Sequence, residues 1–273
     1  MVSQKEKDYK FKALHERPGC FVIPNPWDMG TARILTNLGF EALASTSAGL
    51  AFSLGRRDRE GALSREETLA NARAIVSATD LPVSADLENG FSDMPEGVSE
   101  TIALAAQAGL AGGSIEDATG RPDRPIYELE LARDRVKAAV EEARKLAFPF
   151  LVTARAENFL YGRADLKDTI QRLQQYQEAG ADVLYAPGLK SKEDIVTVVR
   201  SVDRPVNVIM GLQGVALTLQ ELEAIGVKRV SVGSALSRAA FGAFLKAARE
   251  IKEQGSFHFA EAAIPFDELN RTF

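Results

Sequence analysis

Cysteine is almost absent: Cys20 is the only one in 273 residues. That excludes an intramolecular disulfide and any multi-cysteine zinc or iron–sulfur site, and it suits a reducing compartment, so a cytoplasmic location is expected. Histidine is nearly as scarce, and His15 and His258 lie in the terminal segments, far from every motif described below, where they read as surface or packing residues. An excess of basic charge is missing too. The formal net charge is −5 and the isoelectric point about 5.3, which argues against nucleic acid as a main partner and favours a small metabolite. No apolar run reaches the roughly 18 residues of a membrane span, and the first residues, MVSQKEKDYKFKALHERPG, lack the apolar stretch of a signal peptide. Neither a membrane partner nor export is expected.

What is present is ordinary for a folded chain: 45% hydrophobic and 26% charged residues, with 21 glycines and 11 prolines, far from disordered or collagen-like composition. The length allows either one α/β barrel of about 250 residues or two smaller domains. Eight β-rich runs decide between them. They are CFVIPNPWD (20–28), EALASTSAG (41–49), LPVSADLENG (81–90), GGSIEDA (112–118), FPFLVTARAE (148–157), ADVLYAPG (181–188), RPVNVIMG (204–211) and VKRVSVGS (227–234). Between them lie stretches such as SREETLANARAIVSAT and LARDRVKAAVEEARKL, whose apolar residues recur every three or four positions. Gly39, Gly109, Gly180 and Gly226 stand just before strands, where a left-handed C-cap needs no Cβ. Strand and helix alternate without a break in composition, which predicts a single (β/α)8 barrel domain over 1–273. The last segment, 255–273, carries phenylalanines that are costly to leave in water, so it is expected to pack on the barrel or on a neighbouring subunit.

In such a barrel the chemistry gathers at the carboxyl ends of the strands. The third strand ends in Asp86-Leu87-Glu88, where alternation puts both acids on one side, and the fourth ends in Ile115-Glu116-Asp117. Anions crowded at one mouth repel unless a cation joins them, and oxygen ligands without histidine select a hard ion such as Mg2+ or Mn2+. Any one of these acids alone also reads as a solvated loop residue or helix cap. The fifth strand brings Arg155 to a comparable depth. It can clamp a substrate carboxylate, or it can form an ion pair with Glu116 or Glu157 that merely holds the mouth together.

These residues, together with Asn25-Pro26-Trp27-Asp28, Thr31-Ala32-Arg33, Ser45-Thr46-Ser47, Leu54-Gly55-Arg56-Arg57-Asp58, Asp86-Leu87-Glu88-Asn89-Gly90-Phe91 and Thr153-Ala154-Arg155, fall in an order that resembles the isocitrate lyase/phosphoenolpyruvate mutase superfamily. The resemblance runs over nearly the whole chain. It implies a Mg2+ site at Asp86, Glu88 and Glu116, with the family's Asp-x-Asp replaced by Asp-x-Glu. It also implies that Ser45, Thr46 and Ser47 receive the carboxylate of a small 2-oxo acid, mainly through the backbone, that Asp58 is a functional aspartate near metal and substrate, and that Arg155 is the substrate-side arginine. A homo-oligomer follows as well, a dimer or a tetramer with the last helix crossing to a neighbour.

Two departures narrow the activity. The Lys-Lys/Arg-Cys-Gly-His loop of the isocitrate and methylisocitrate lyases is replaced by Asp117-Ala118-Thr119-Gly120-Arg121-Pro122-Asp123-Arg124-Pro125, and the lysine- and asparagine-containing loop of the phosphonopyruvate branches is absent too. Cys20 begins the first strand, toward the opposite end of the barrel, and reads as a small buried hydrophobe. Arg121 and Arg124 either meet a second anionic group when their loop closes or stay solvated. Tyr127, Tyr161 and Tyr185 are candidate acids but poor bases, with an ordinary pKa of about 10. The expected activity is a Mg2+-dependent lyase reaction beside a small 2-oxo acid, through a metal-stabilised pyruvate-like enolate, with oxaloacetate-like compounds favoured over isocitrate. A carbon–phosphorus mutase or hydrolase and a catalytically silent 2-oxo acid binder remain as alternatives.

Overall fold

The computed structural model describes residues 2–59, 61–212 and 214–273. Each predicted run contains one short strand: β1 (Phe21–Ile23), β2 (Leu43–Ala44), β3 (Val83–Asp86), β4 (Gly112–Glu116), β5 (Leu151–Arg155), β6 (Val183–Tyr185), β7 (Val206–Ile209) and β8 (Arg229–Ser231). All ladders are parallel, and the neighbours run β2-β3-β4-β5-β6-β7-β8-β1. The ring is closed between β1 and β2 by two bonds outside any ladder. Ala44 N–H donates to the Pro24 carbonyl at 3.0 Å, and Asn25 Nδ2 donates to the Ser45 carbonyl at 3.0 Å. The Asn25 Oδ1 accepts from the Val232 and Gly233 amides, both at 2.9 Å, so this one side chain ties the ends of β1, β2 and β8 together.

The helices are α1 (Gln4–Glu16), α2 (Met29–Asn37), α3 (Ser47–Ser53), α4 (Arg65–Ser77), α5 (Pro95–Gln107), α6 (Leu129–Arg144), α7 (Leu166–Glu178), α8 (Lys192–Arg200), α9 (Leu219–Ala224), α10 (Ala235–Gln254) and α11 (Phe266–Asn270). Each crossover thus carries an apolar helix face onto the strands. In α6 that face is Ala132, Val136, Ala139, Val140 and Ala143, all buried, with Arg135 buried beside it. Gly39, Gly109, Gly180 and Gly226 take φ between +85° and +98°, the left-handed conformation their position before a strand called for. The architecture is a nearly closed (β/α)8 barrel.

The second strand is the shortest. Of 41–49 only Leu43–Ala44 is paired as a strand, because the Thr46 hydroxyl accepts the Gly49 N–H at 3.3 Å and starts α3.

The floor of the barrel is closed by α1. Phe11 and Leu14 join Phe21, Ile23, Ala42, Ala111 and Leu151 in one apolar cluster, and a Cβ on Gly112 would lie 2.6 Å from the Leu151 carbonyl oxygen and 3.0 Å from the Phe11 ring, so glycine is required where the plug meets β4. His15 is a packing residue of this floor, edge-on to Phe11 and Phe21 with ring centroids 4.7 and 5.0 Å away. Burial holds it neutral, with its pKa pushed down to about 3. His258 is on the surface. Cys20 is half-buried against the core, and burial raises its thiol to about 11, which keeps it unreactive.

The C-terminal segment touches its own barrel only lightly. Asn37 Nδ2 donates to the Thr272 carbonyl at 2.7 Å and Arg33 Nη1 to the Phe273 carbonyl at 3.4 Å, while Phe257, Phe266 and Phe273 stay exposed. Packing on the barrel therefore does not shelter these rings. Among the described residues no helix is long and apolar enough to cross a membrane.

Candidate active site

Ser45, Thr46, Ser47, Asp58, Asp86, Glu88, Glu116 and Arg155 all line one cavity at the carboxyl ends of the strands. The strand register accounts for the central group. Glu116 and Arg155 are direct partners across β4 and β5, and Asp86 ends β3 on the other side of β4. The guanidinium of Arg155 is held from three directions: Nη1 to Asp86 Oδ1 at 3.0 Å, Nη2 to Glu116 Oε2 at 3.0 Å, and Nε to Glu157 Oε1 at 2.8 Å. Of the two roles open to Arg155, the ion pair is the one the geometry displays, and it engages three acids.

Glu88 reaches the cavity by a different route from the one alternation suggests. The strand ends at Asp86, and Glu88 takes φ +47°, a left-handed conformation unusual for a residue with a side chain. Its N–H donates to Asp86 Oδ1 at 3.2 Å, and its carbonyl accepts from Glu116 N–H at 2.9 Å. Behind it, buried Arg135 of α6 donates to the carbonyls of Asn89 and Ser92 and lies 4.1 Å from the centre of the Tyr127 ring. An arginine with no ion pair among the described residues thus braces the turn that presents Glu88.

The β2–α3 turn is wired to the same cluster. Ser45 Oγ accepts the Asp86 N–H at 3.0 Å, and Ser47 donates to Asp86 Oδ2 through both its N–H at 3.2 Å and its hydroxyl at 2.8 Å. With the Thr46 hydroxyl capping α3, the side chains of Thr46 and Ser47 already have protein partners.

Five carboxylates line the cavity, at Asp58, Asp86, Glu88, Glu116 and Glu157, against three arginines, at Arg59, Arg155 and Arg229. The excess of two acids over arginines has visible consequences. Burial, then Asp86 and Asp58, push Glu88 up to about 8. Burial raises Asp58 as well, with Asp86 the next cause, and raises Glu116 well above the ordinary range against the pull of Arg155. Tyr161 and Tyr185 are held above their usual values, chiefly by burial, and remain protonated donors. Among the described residues no three acids or imidazoles converge on a point that would hold an ion, because Arg155 stands between Asp86 and Glu116. The donor set itself, carboxyl oxygens that outnumber the arginines, fits a hard divalent cation.

Two sequence features resolve differently. Asp117 points away from the cavity and is buried against α7, accepting from Arg172 Nη1 at 3.0 Å and Tyr176 OH at 2.7 Å. The 117–125 loop is folded on itself by the Ala118–Ile126 bridge and a Thr119 N–H to Pro125 carbonyl bond of 2.9 Å, and Arg121 pairs with Asp93 at 2.6 Å. Neither Arg121 nor Arg124 lines the cavity.

The phosphoenolpyruvate phosphomutase family model matches residues 11–252. The chain belongs to this family. Among solved structures the phosphomutase-family chain is similar to one described as a lyase/mutase from Burkholderia cenocepacia J2315, at 58% identity and a TM-score of 0.95, covering 98% of this chain and 95% of that one. It is also similar to one described as a phosphonomutase from the same organism, at 33% identity and a TM-score of 0.81, covering 93% and 100%. The 2,3-dimethylmalate lyase of Eubacterium barkeri is 29% identical over 226 residues, 80% of this chain and 76% of that protein. The wider phosphoenolpyruvate mutase/isocitrate lyase superfamily includes lyases and mutases.

Sequence reasoning passed over four residues of this phosphomutase-family site. Arg229 is buried one layer below the mouth, where it donates to Asn207 Oδ1 at 2.8 Å and Thr153 Oγ1 at 3.0 Å and meets His15 Nε2 at 3.2 Å. Asn207 in turn donates to Ser231 Oγ at 2.9 Å. The available signal was a polar side chain within a short buried strand, Asn207 in VNVI and Arg229 and Ser231 in RVS. Arg59 was hidden because nothing local marks a loop arginine as facing a cavity.

Proposed function

We propose that this protein is a Mg2+-dependent lyase-type enzyme, cytoplasmic, that cleaves or forms a carbon–carbon bond beside a small 2-oxo acid through a pyruvate-like enolate. The observation that supports this reading is the excess of carboxyl groups over arginines in an oxygen-only donor set at the barrel mouth. Asp86, Glu88 and Glu116 are the residues that would hold Mg2+, or Mn2+. The chemistry such an ion supplies is Lewis-acid stabilisation of negative charge on a substrate oxygen, worth several kcal/mol. The main chain of the β2–α3 turn, at Ser45, Thr46 and Ser47, takes the substrate carboxylate. Arg155, fixed by three acids, adds positive potential that needs no rearrangement during the reaction. Asp58, whose carboxyl burial holds above its usual range, keeps or delivers the proton at the carbon that gains charge. The 117–125 loop offers no cysteine or histidine for a retro-aldol base, which favours oxaloacetate-like compounds over isocitrate.

Calorimetric titration with oxalate, a mimic of the pyruvate enolate, tests the reading. Wild type is expected to bind oxalate only with Mg2+ present, and Asp86→Ala to weaken that binding by about a hundredfold or more. Binding that ignores Mg2+ and Asp86 would make the strand-end acids structural. The similarity to a phosphonomutase keeps carbon–phosphorus chemistry as the second reading, and release or migration of phosphate from phosphonopyruvate would select it. A silent binding protein is rejected by any 2-oxo acid turnover that disappears in Asp58→Ala while oxalate still binds.

We also propose that the active form is a homo-oligomer, a dimer or tetramer, assembled through α10 and the segment after it. Of twenty residues in α10 only Ser237 is buried. Phe244, Phe257 and Phe266 are 67%, 65% and 79% exposed, an apolar burden that a single chain leaves in water. Sedimentation at micromolar concentration is expected to give a multiple of 29.6 kDa for the wild type and a smaller assembly for Phe244→Glu. A wild-type monomer would overturn the assignment.

A further inference from the structure

Arg59 is the cation of the cavity that the reading above leaves without a task. It adjoins Asp58 and lines two cavities at once: the one containing Asp86, Glu116 and Arg155, and a wider one between the loops after β3 and β4. Glu88, Glu116 and Tyr161 line both as well, so the two spaces meet at Arg59. A substrate whose 2-oxo acid end sits against the carboxylate cluster would send its far end past this junction.

The other arginines nearby are occupied. Arg155 pairs with three acids, and Arg229 lies a layer deeper on Asn207, Thr153 and His15. In the wider cavity Arg65 pairs with Glu100 at 2.8 Å, and Arg121, beside that cavity, with Asp93 at 2.6 Å. Arg59 forms no ion pair among the described residues. Its guanidinium makes one long bond, Nη1 to the Leu160 carbonyl at 3.4 Å, and stands 5.7 Å from the centre of the Tyr161 ring. Its planar fork of N–H donors is therefore open at the junction, in a site otherwise crowded with acids that would repel a second anion. Tyr161, kept protonated by burial, lines the same junction.

We propose that Arg59 binds a distal carboxylate of the substrate, so that the enzyme selects 2-oxo diacids of about four carbons over mono-acids of pyruvate size. The inference rests on the proposed 2-oxo acid site and adds the group that reads the substrate's far end. It moves the second anion site from Arg121 and Arg124, which the folded 117–125 loop keeps out of the cavity, to a residue adjoining Asp58.

The test is calorimetric titration in Mg2+ buffer with two probes: oxalate, which has no distal group, and 3,3-difluorooxaloacetate, which has one. Wild type binds both. Arg59→Leu is expected to weaken the diacid by about tenfold or more while leaving oxalate within about twofold, and Arg59→Lys, which keeps the charge but not the fork, to fall between. Equal effects on both probes, or none on either, would overturn the role of Arg59 while leaving the oxalate site standing. A wild type that binds neither probe would overturn the underlying site and this inference with it. Arg59 is exposed, so its variants are expected to fold.

Discussion

Replacing Arg155 with methionine is expected to lower the melting temperature by about 10 °C, through a loss of roughly 3–5 kcal/mol. The cause is not the removal of one attractive contact but what is left behind. Asp86, Glu116 and Glu157 each give a carboxylate oxygen within 3.0 Å of the guanidinium, and their side chains are 15%, 14% and 1% exposed. Without the cation, three desolvated acids face one another and must either take up protons or draw in water. Arg155→Lys keeps the charge but cannot point three N–H groups at three carboxylates, so an intermediate loss is expected. Millimolar Mg2+ is expected to restore part of the melting temperature of Arg155→Met, and to raise it more than in the wild type, because two of the freed acids, Asp86 and Glu116, are oxygen donors proposed for the ion. Thermal melts of the three proteins with and without Mg2+ check both statements. A methionine variant that melts like the wild type would mean that the cluster does not hold the barrel mouth together.

Arg155 also illustrates what a sequence can and cannot convey. Its place at the end of a strand, and those of Asp86 and Glu116, followed from alternating β-rich runs and helical spacers, since a barrel puts every strand end at one mouth. The choice between substrate clamp and ion pair depended on register, which is a tertiary quantity: β4 and β5 are paired so that Glu116 sits opposite Arg155. Glu88 came to the predicted place by an unpredicted path, because the end of β3 at Asp86 and the left-handed turn after it are decided by neighbours such as Arg135 of α6, 47 positions away in the chain. Asp117 was ambiguous for a similar reason. One residue beyond Glu116, it faces outward, and only the packing of α7 reveals that Arg172 and Tyr176 absorb it. The 117–125 loop was legible as lacking a catalytic cysteine, but its closure on itself depends on contacts such as Arg121 with Asp93, which no local pattern announces.

Asp8 in the floor helix sets the second large expectation, a stability that falls as pH rises from about 4 to about 7. Its side chain is fully buried, neither carboxylate oxygen has a hydrogen-bond partner among the described residues, and the adjacent Lys7 directs its ammonium to the Thr79 carbonyl at 2.7 Å instead. Burial therefore pushes the Asp8 carboxyl from 3.8 up to about 7, with Lys7 opposing only in part. Below the lower value both folded and unfolded chains hold the proton, and the group costs nothing extra. Between the two values the unfolded chain ionises while the folded chain keeps its proton, so unfolding gains ground with every step in pH, and above the upper value the full penalty is present. A shift of that size corresponds to something on the order of 4 kcal/mol at most. Asp8→Asn removes the charge at nearly constant shape. It is expected to leave stability at pH 4 within about 1 kcal/mol of the wild type, and to raise it at pH 8 by an amount on the order of 2–4 kcal/mol. Urea unfolding of both proteins across this range is the measurement. Parallel curves would show that the Asp8 carboxylate finds a partner or water in solution, and that the helix closing the floor is not held against a buried acid.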